Sequence, residues 1–144
     1  MTGKLTAGEV IALLGLEPHI EGGFYRQTFA DQADGNGRPV STLIYYLLTD
    51  NMAGAWHRVD SAEVWHWYAG APMRLAISRD GKSVVTHRLG VDLAAGERPQ
   101  VVVPPGTWQQ AQVEGDWALA GCTVAPGFQF SKFEQSAPGW TPGE

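Results

Sequence analysis

The segment from Gly54 to Gly70, GAWHRVDSAEVWHWYAG, concentrates side chains that can do chemistry. It holds two of the chain's four histidines, His57 and His66, together with the carboxylate of Glu63 and three of its six tryptophans. An imidazole beside a carboxylate suits metal ligation or proton transfer. Aromatic side chains around these groups would form an apolar pocket. The competing interpretation is that all of them are structural residues on an aromatic strand.

A second group of polar side chains lies nearer the N-terminus, around a Gly22-Gly23 turn. The sequence there, HIEGGFYRQTF, supplies His19, Glu21, Tyr25 and Arg26. Strand alternation from Phe24 does not divide these residues cleanly between two faces, so we predict a β-bulge near the glycines. Either a site or an internal Arg–Glu pair that holds the first strand would explain the charges. His19 fits a loop or the mouth of a pocket equally well.

The elements that must position these residues are mostly short strands. Residues 40–50, VSTLIYYLLTD, predict a strand buried on both faces. PMRLAISR and KSVVTHRL, joined by Asp80-Gly81, predict a hairpin. A helix is expected over residues 6–14, because Thr6 and Glu9 have capping-box spacing and a glycine follows. We predict one domain over residues 1–144, with a barrel over about 22–135, a loop at 34–39 and a loosely held tail at 137–144.

Composition excludes several classes of partner. A net charge of -5 argues against nucleic acid, which requires a basic surface. No apolar run approaches the ~20 residues that span a bilayer, so we expect no membrane partner and a cytoplasmic location. The single cysteine, Cys122, lies in an apolar run without a cationic neighbour, so a buried, inert thiol is expected.

The spacing of the central segment resembles the first cupin motif, G-x5-H-x-H, three or four residues, E, six residues, G. His57, Glu63 and Gly70 keep the spacing, whereas Asn51 replaces the leading glycine and Val59 the second histidine.

The second cupin motif, G-x5-P-x-G-x2-H-x3-N, is matched in spacing by Pro104 and Gly106. Gln109 replaces its histidine, Val113 its asparagine and Arg98 its first glycine.

The chain more specifically resembles the cupin-5 family of single-domain cupins. The matching stretches are HIEGGFYRQTF, STLIYYLL, HRVDSAEVWHWYAG, PQVVVPPGTWQ and GCTVAPGFQFSKFE. The resemblance implies an all-β fold, a cupin jelly-roll β-barrel with a short N-terminal helix, close in shape to dTDP-sugar 3,5-epimerases. It also implies a homodimer, which an exposed aromatic strand would favour, but it supplies no activity.

An ordinary cupin metal site, as the resemblance implies it, uses three histidines and one glutamate. Here the matching positions are His57, Val59, Glu63 and Gln109. Valine has no donor atom, and an amide oxygen is a weak ligand for transition metals. We therefore expect no cofactor. If a divalent metal binds, its ligands would be His57, Glu63 and Gln109.

The leading hypothesis is metal-independent isomerisation or epimerisation of a small polar molecule, such as a sugar derivative. His57 would act as base or acid, Glu63 would orient it, and Tyr25 would return a proton. We expect Glu21, Arg26, Tyr45, Trp65 and Gln109 to bind substrate. One alternative is a metal-dependent oxygenase or lyase with an atypical ligand set. The other is a non-catalytic module that binds a small molecule.

Overall fold

The computed structural model describes residues 4–31 and 37–143; the first half of the loop predicted at 34–39 and the two ends of the predicted domain lie outside these ranges. The elements, in chain order, are α1 Ala7–Leu14, β1 Glu17–Pro18, β2 Phe24–Asp31, β3 Ser41–Thr49, β4 His57–Val59, β5 Ala62–Gly70, β6 Met73–Ser78, β7 Val85–Leu89, β8 Gln100–Val103, β9 Trp108–Val113, β10 Trp117–Ala125 and β11 Phe133–Gln135. Short 3-10 turns cover Leu93–Ala95 and Phe130–Lys132.

The strands form two antiparallel sheets that face each other. One has the order β1-β2-β3-β10-β5-β8 and the other the order β11-β4-β9-β6-β7. An isolated bridge between Leu89 and Arg98 joins the sheets at the β7–β8 edge. The expected all-β architecture with a short N-terminal helix is therefore confirmed, with the barrel left open rather than closed by hydrogen bonds. The predicted Asp80-Gly81 hairpin is the β6–β7 pair.

The core lies between the sheets, where alternate side chains of each strand point inward. Tyr46, Trp65, Leu75 and Val103 are almost fully buried there. β3 lies inside its sheet, and its second half, from Tyr46 to Thr49, is buried on both sides as its continuous apolar sequence predicted, whereas Leu43, Ile44 and Tyr45 are only partly buried.

Helix α1 packs on the outer face of the six-stranded sheet. Its N-terminus has the predicted capping box between Thr6 and Glu9, and Gly15 ends it in a left-handed conformation. Val10 and the following Leu16 pack against Leu47 of β3. In the part of the chain that is described, no helix is long and apolar enough to cross a membrane.

The bulge predicted for the first long strand lies further along it than expected. The register between β2 and β3 shifts at Thr28, between Gln27 and Phe29, rather than at the glycines. Tyr25 and Gln27 therefore share the inner face of β2 before the shift. The glycine turn instead requires glycine for its backbone conformation and for space. Gly23 has φ 78°, and a Cβ there would lie 2.6 Å from the carbonyl oxygen of Leu47.

The C-terminal segment after β11, predicted to be loosely held, packs against the five-stranded sheet. The indole of Trp140 lies 4.8 Å, centroid to centroid, from that of Trp108 and 6.2 Å from that of Trp56. The Gly143 N–H donates a hydrogen bond to the Gly81 carbonyl. This segment therefore covers aromatic side chains on the side of the sheet away from the core.

Candidate functional site

A cavity of about 300 Å³ lies between the sheets, at the end where β2, β3, β5 and β10 face β4 and β11. His57 and Glu63, the two residues that match the first cupin motif, both line it. The structure thus brings together the imidazole and the carboxylate on which the site hypothesis depends. Both side chains are buried within the protein, with 5% and 7% of their residue surface exposed.

A chain reversal between β4 and β5 explains why residues so close in sequence face each other. His57 begins β4 in one sheet, and Glu63 lies near the start of β5 in the other. The turn between them is held by Arg38, which donates two hydrogen bonds to the Asp60 carboxylate. The Ser61 hydroxyl donates to the Pro126 carbonyl. Inward-pointing side chains on either side of this turn therefore meet across the cavity.

The carboxylate in contact with His57 belongs to Glu21, whereas the sequence had suggested Glu63 as its orienting partner. Glu21 Oε2 lies 2.7 Å from His57 Nδ1, and the same nitrogen is 3.0 Å from the Ala55 carbonyl oxygen. The hydrogen bond of this nitrogen goes to the Ala55 carbonyl, and the Glu21 contact is an ion pair. Among the described residues, Glu21 Oε2 has no hydrogen-bond partner.

The charge on His57 is stabilised by its surroundings. Burial disfavours the imidazolium, but the charges of Glu21 and Glu63 and the hydrogen bond to the Ala55 carbonyl together raise the pKa of His57 to about 9. Burial is the largest influence on Glu21 and opposes its ionisation, but the contacts with His57, His19 and Tyr46 together outweigh it and lower the pKa of Glu21. Near neutral pH the pair is therefore an imidazolium and a carboxylate. The imidazolium ring stacks on the ring of Phe133, with the two ring centroids 5.2 Å apart.

His19 lines the cavity on the other side of Glu21. Its Nδ1 accepts a hydrogen bond from the Glu21 backbone N–H at 3.1 Å, so the neutral ring carries its proton on Nε2. Burial lowers the pKa of His19, against the charge of Glu21, which raises it. The ring meets Tyr25 edge to face at 4.6 Å. The sequence left open whether His19 lies in a loop or at the mouth of a pocket, and the structure places it in the lining of the cavity.

Glu63 is held by a chain of buried hydrogen bonds from the core. The Trp65 indole N–H donates to Gln109 Oε1 at 2.8 Å, and Gln109 Nε2 donates to Glu63 Oε1 at 2.9 Å. The indole fixes the orientation of the amide, because an indole nitrogen can only donate. Burial raises the pKa of Glu63, with the charge of His57 opposing. Trp65 and Gln109, expected to touch substrate, instead position this carboxylate.

The donor set does not suit the metal that a cupin fold implies. Val59 has no donor, and the Gln109 amide is turned so that its NH2 group, rather than its oxygen, faces Glu63. The Gln109 oxygen is occupied by the Trp65 indole. Across residues 4–31 and 37–143, no cluster of three or more His, Cys, Asp or Glu side chains could hold a metal ion. The predicted ligand set His57, Glu63 and Gln109 is therefore not assembled as a metal site.

Two other residues expected at the site lie outside the cavity. Arg26 points to the outer face of β2, where its guanidinium donates to the Leu14 carbonyl at the end of α1. Tyr45 lies on the outer face of β3, with its ring 6.2 Å from that of Tyr68. Tyr25 does line the cavity, as expected. His66, which strand alternation directs away from Glu63, contacts the Thr123 hydroxyl on the outer face.

Sequence reasoning missed an aromatic wall contributed by the segment between β10 and β11. Phe128, Phe130 and Phe133 line the cavity and contact one another edge to face, with centroids 4.9 to 6.2 Å apart. The repeated phenylalanines of GFQFSKF were the available signal. Cys122 also borders the cavity, and burial raises the pKa of its thiol well above normal, in keeping with the inert thiol expected.

The family model described as "Cupin superfamily (DUF985)" matches residues 8–136. A crystal structure of a protein from Shewanella oneidensis superposes with a TM-score of 0.88 at 37% identity, covering 93% of this chain and 86% of that one. A hypothetical protein from Leishmania major gives 0.81 at 29% identity, covering 90% and 86%.

A more distant likeness concerns the fold alone. Oxalate decarboxylase from Bacillus subtilis superposes with a TM-score of 0.64 at 15% identity, covering 82% of this chain but 29% of that one. A search among curated proteins finds no match.

Proposed function

The chain belongs to the Cupin_5 family of the cupin superfamily, whose fold alone does not determine a reaction, and we propose from its site that it catalyses metal-independent isomerisation or epimerisation of a small polar carbonyl compound. One observation supports this above the others: an imidazole charged by Glu21 and a second, separate carboxylate line the same cavity. Two titratable groups whose surroundings shift their pKa values are the usual signature of an acid–base pair.

His57 is assigned the role of acid. Its Nδ1 is engaged by Glu21 and Ala55, which leaves Nε2 as the nitrogen available to a ligand. A carbonyl oxygen in the cavity would accept a hydrogen bond from Nε2–H and, as negative charge develops, take the proton. Glu21 stabilises the imidazolium before transfer and holds the ring through Nδ1.

Glu63 is assigned the role of base. Gln109 engages Oε1, and the raised pKa of this buried carboxyl makes its ionised form a stronger base than an exposed glutamate. Glu63 removes a proton from the carbon beside the carbonyl, and the C–H electron pair forms the C=C bond of an enediol. The carbonyl π pair takes the proton from His57. No redox partner is required, because the atoms and electrons balance within the substrate.

The second half-reaction returns a proton to carbon. Delivery to the neighbouring carbon isomerises the compound, whereas delivery to the opposite face of the same carbon epimerises it. In isomerisation Glu63 returns the proton. In epimerisation the hydroxyl of Tyr25, whose ring lies in the cavity beside His19, delivers a proton to the opposite face, and the phenolate then takes a proton from water while Glu63 releases one. His57 then regains its proton from the enediol oxygen as the carbonyl re-forms.

The test is exchange of substrate C–H for deuterium. Short aldoses, ketoses and hydroxyketones would be incubated with protein in D2O, and incorporation beside the carbonyl followed by proton NMR. His57→Gln and Glu63→Gln should each abolish exchange. His87→Gln and Glu114→Gln, the same changes on other strands and loops outside the cavity, should leave it unchanged.

Two results would reject the proposal. If a compound binds in the cavity without exchange, the protein is a binding module rather than an isomerase. If exchange appears only when a divalent metal is added and is lost again with a chelator, the metal-dependent alternative holds.

A further inference from the structure

We propose that the cavity selects uncharged hydroxy-carbonyl compounds with one apolar face and rejects their phosphorylated and carboxylated counterparts. This inference rests on the proposed function only in taking the ligand to be a carbonyl compound. Its other premises are the charges and the apolar and polar surfaces that line the cavity.

The cavity lining contains no lysine or arginine among the described residues. Its ionisable side chains include two carboxylates, Glu21 and Glu63, and two imidazoles, His19 and His57. The imidazolium of His57 is already paired with Glu21 at 2.7 Å. A phosphate or carboxylate group would therefore enter a space with no unpaired cation and would approach Glu63. Recognition of phosphate ordinarily requires arginine, lysine or several backbone N–H groups.

The guanidinium groups of three arginines have partners outside the cavity. Arg26 is on the outer face at the end of α1, and Arg38 is bound to Asp60 in the turn before β5. Arg58 pairs with Glu134 and lies over the Trp108 ring. Lys132 is exposed and does not line the cavity. The sequence had suggested Arg26 as a substrate-binding residue, and its outward position leaves it no contact with the cavity.

One wall of the cavity is apolar. Phe128, Phe130 and Phe133 form it, with Val124 and Ile44 beside them. A charged group placed against these side chains would lose its water without gaining polar partners, which is strongly unfavourable. A C–H-rich face of a small ligand would instead gain from burial there. The volume of about 300 Å³ is also at the lower end of the range for ligand pockets, ~300–1,000 Å³.

The remaining wall carries neutral polar groups suited to hydroxyls. Tyr25 and Thr42 contribute hydroxyl groups, and Gln27 and Gln129 contribute amides. Hydroxyls and amides both donate and accept, so they match the alcohol groups of a small polyol.

A cationic ligand is a weaker match than a neutral one. Glu21 is already paired with His57, and Glu63 Oε1 accepts from Gln109. A ligand ammonium would also be repelled by the His57 imidazolium.

The test compares binding of matched compounds by isothermal calorimetry and ligand-observed NMR. The pairs are dihydroxyacetone with its phosphate, glyceraldehyde with its 3-phosphate, and hydroxyacetone with aminoacetone. We expect the neutral member of each pair to bind more tightly, by on the order of tenfold or more. Equal affinities, tighter binding of a charged member, or no binding of any neutral compound would overturn the inference.

A charge placed at the cavity provides the variant test. Gln129→Lys adds a cation to the lining and should raise the affinity for the phosphates relative to the neutral compounds. Gln100→Lys makes the same change on β8, away from the cavity, and should leave the preference unaltered. If both variants, each shown to be folded by circular dichroism, keep the wild-type preference, the lining does not set the selectivity.

The two proposals fail in different experiments. Preference for neutral compounds without deuterium exchange would reject isomerisation and keep the charge selectivity. Deuterium exchange on a phosphorylated compound that binds better than its neutral counterpart would reject the charge selectivity and keep isomerisation.

Discussion

Glu21 Oε2 and His57 Nδ1 lie 2.7 Å apart, although Glu21 lies in a turn of the six-stranded sheet and His57 on a strand of the other. Glu21 lies in the glycine turn before β2, and its backbone carbonyl accepts a hydrogen bond from the N–H of Ala55, just before β4. The carboxylate and the imidazole are therefore brought together by backbone pairing as well as by their charges. The catalytic imidazole of the proposed mechanism depends on this contact.

Replacement of Glu21 by glutamine should lower the pKa of His57 from about 9. The carboxylate charge that favours the imidazolium is lost, while the burial that disfavours it remains. Titration of the His57 ring protons or ¹⁵N shifts by NMR measures this. Glu134→Gln, an exposed glutamate paired with Arg58, serves as the control. An unchanged His57 titration in Glu21→Gln would show that Glu21 does not hold the charge.

The stability of the protein should fall as the pH rises from about 6.5 to about 9. The pKa of His57 is higher in the folded protein than in the unfolded chain, so the folded state binds the extra proton in this interval and loses the advantage above it. Urea unfolding at several pH values measures the effect. The slope should be weaker in His57→Gln, and an equal slope in both proteins would assign it to other groups.

Replacement of Gln109 by leucine should cost about 1–3 kcal/mol of unfolding free energy, because the Trp65 N–H is left buried without an acceptor. The same change frees Glu63 Oε1, so deuterium exchange should fall as well. Adding Trp65→Phe removes the orphaned donor, and a double-mutant cycle should give less destabilisation than the sum of the single changes. Strict additivity would mean that the indole and amide do not interact.

Leu75→Ala should cost about 2–5 kcal/mol, since its side chain is fully buried in the core between the sheets. Ile44→Ala should cost less, because Ile44 is only partly buried and one side of it borders the cavity. Chemical denaturation of both variants gives the comparison. Equal losses would indicate that the cavity wall is as tightly packed as the core.

Homodimerisation, expected from the sequence, is testable on the outer face of the six-stranded sheet. Tyr68 on β5 and Val102 on β8 are exposed there. We expect Tyr68→Glu combined with Val102→Glu to convert a dimer to a monomer in sedimentation equilibrium. Val85→Glu, an equally exposed apolar position on β7 of the other sheet, is the control. A wild-type monomer at micromolar concentration would reject the prediction.

The resemblance to the cupin-5 family predicted the fold, and the motif spacing predicted that His57 and Glu63 lie together. Strand alternation and the short turn between β4 and β5 are local properties, so the sequence carries them directly. The same alternation places Tyr25 in the cavity and Arg26 outside it, and applying it strictly at that strand would have excluded Arg26. Tyr45 is separated in the same way from the inward-facing Tyr46.

The partner of His57 could not be read from the sequence, because Glu21 reaches it through long-range pairing between a glycine turn and another sheet. The role of Gln109 was missed for a related reason. Its position in the motif suggested a ligand, but the orientation of its amide depends on Trp65, a residue of another strand. The phenylalanine wall required knowing that the segment after β10 turns over the cavity rather than extending the sheet.

The reversal at Asp60 and Ser61 has a mechanical consequence. Because His57 and Glu63 stand on opposite sheets, the distance between the acid and the base is the width of the gap at that edge of the sandwich. Any ligand, substitution or temperature change that spreads the sheets there would lengthen the path between the two groups. The rate of proton exchange would then report how far the two sheets have separated. Weakening the Arg38–Asp60 ion pair, whose residues do not line the cavity, would slow the exchange.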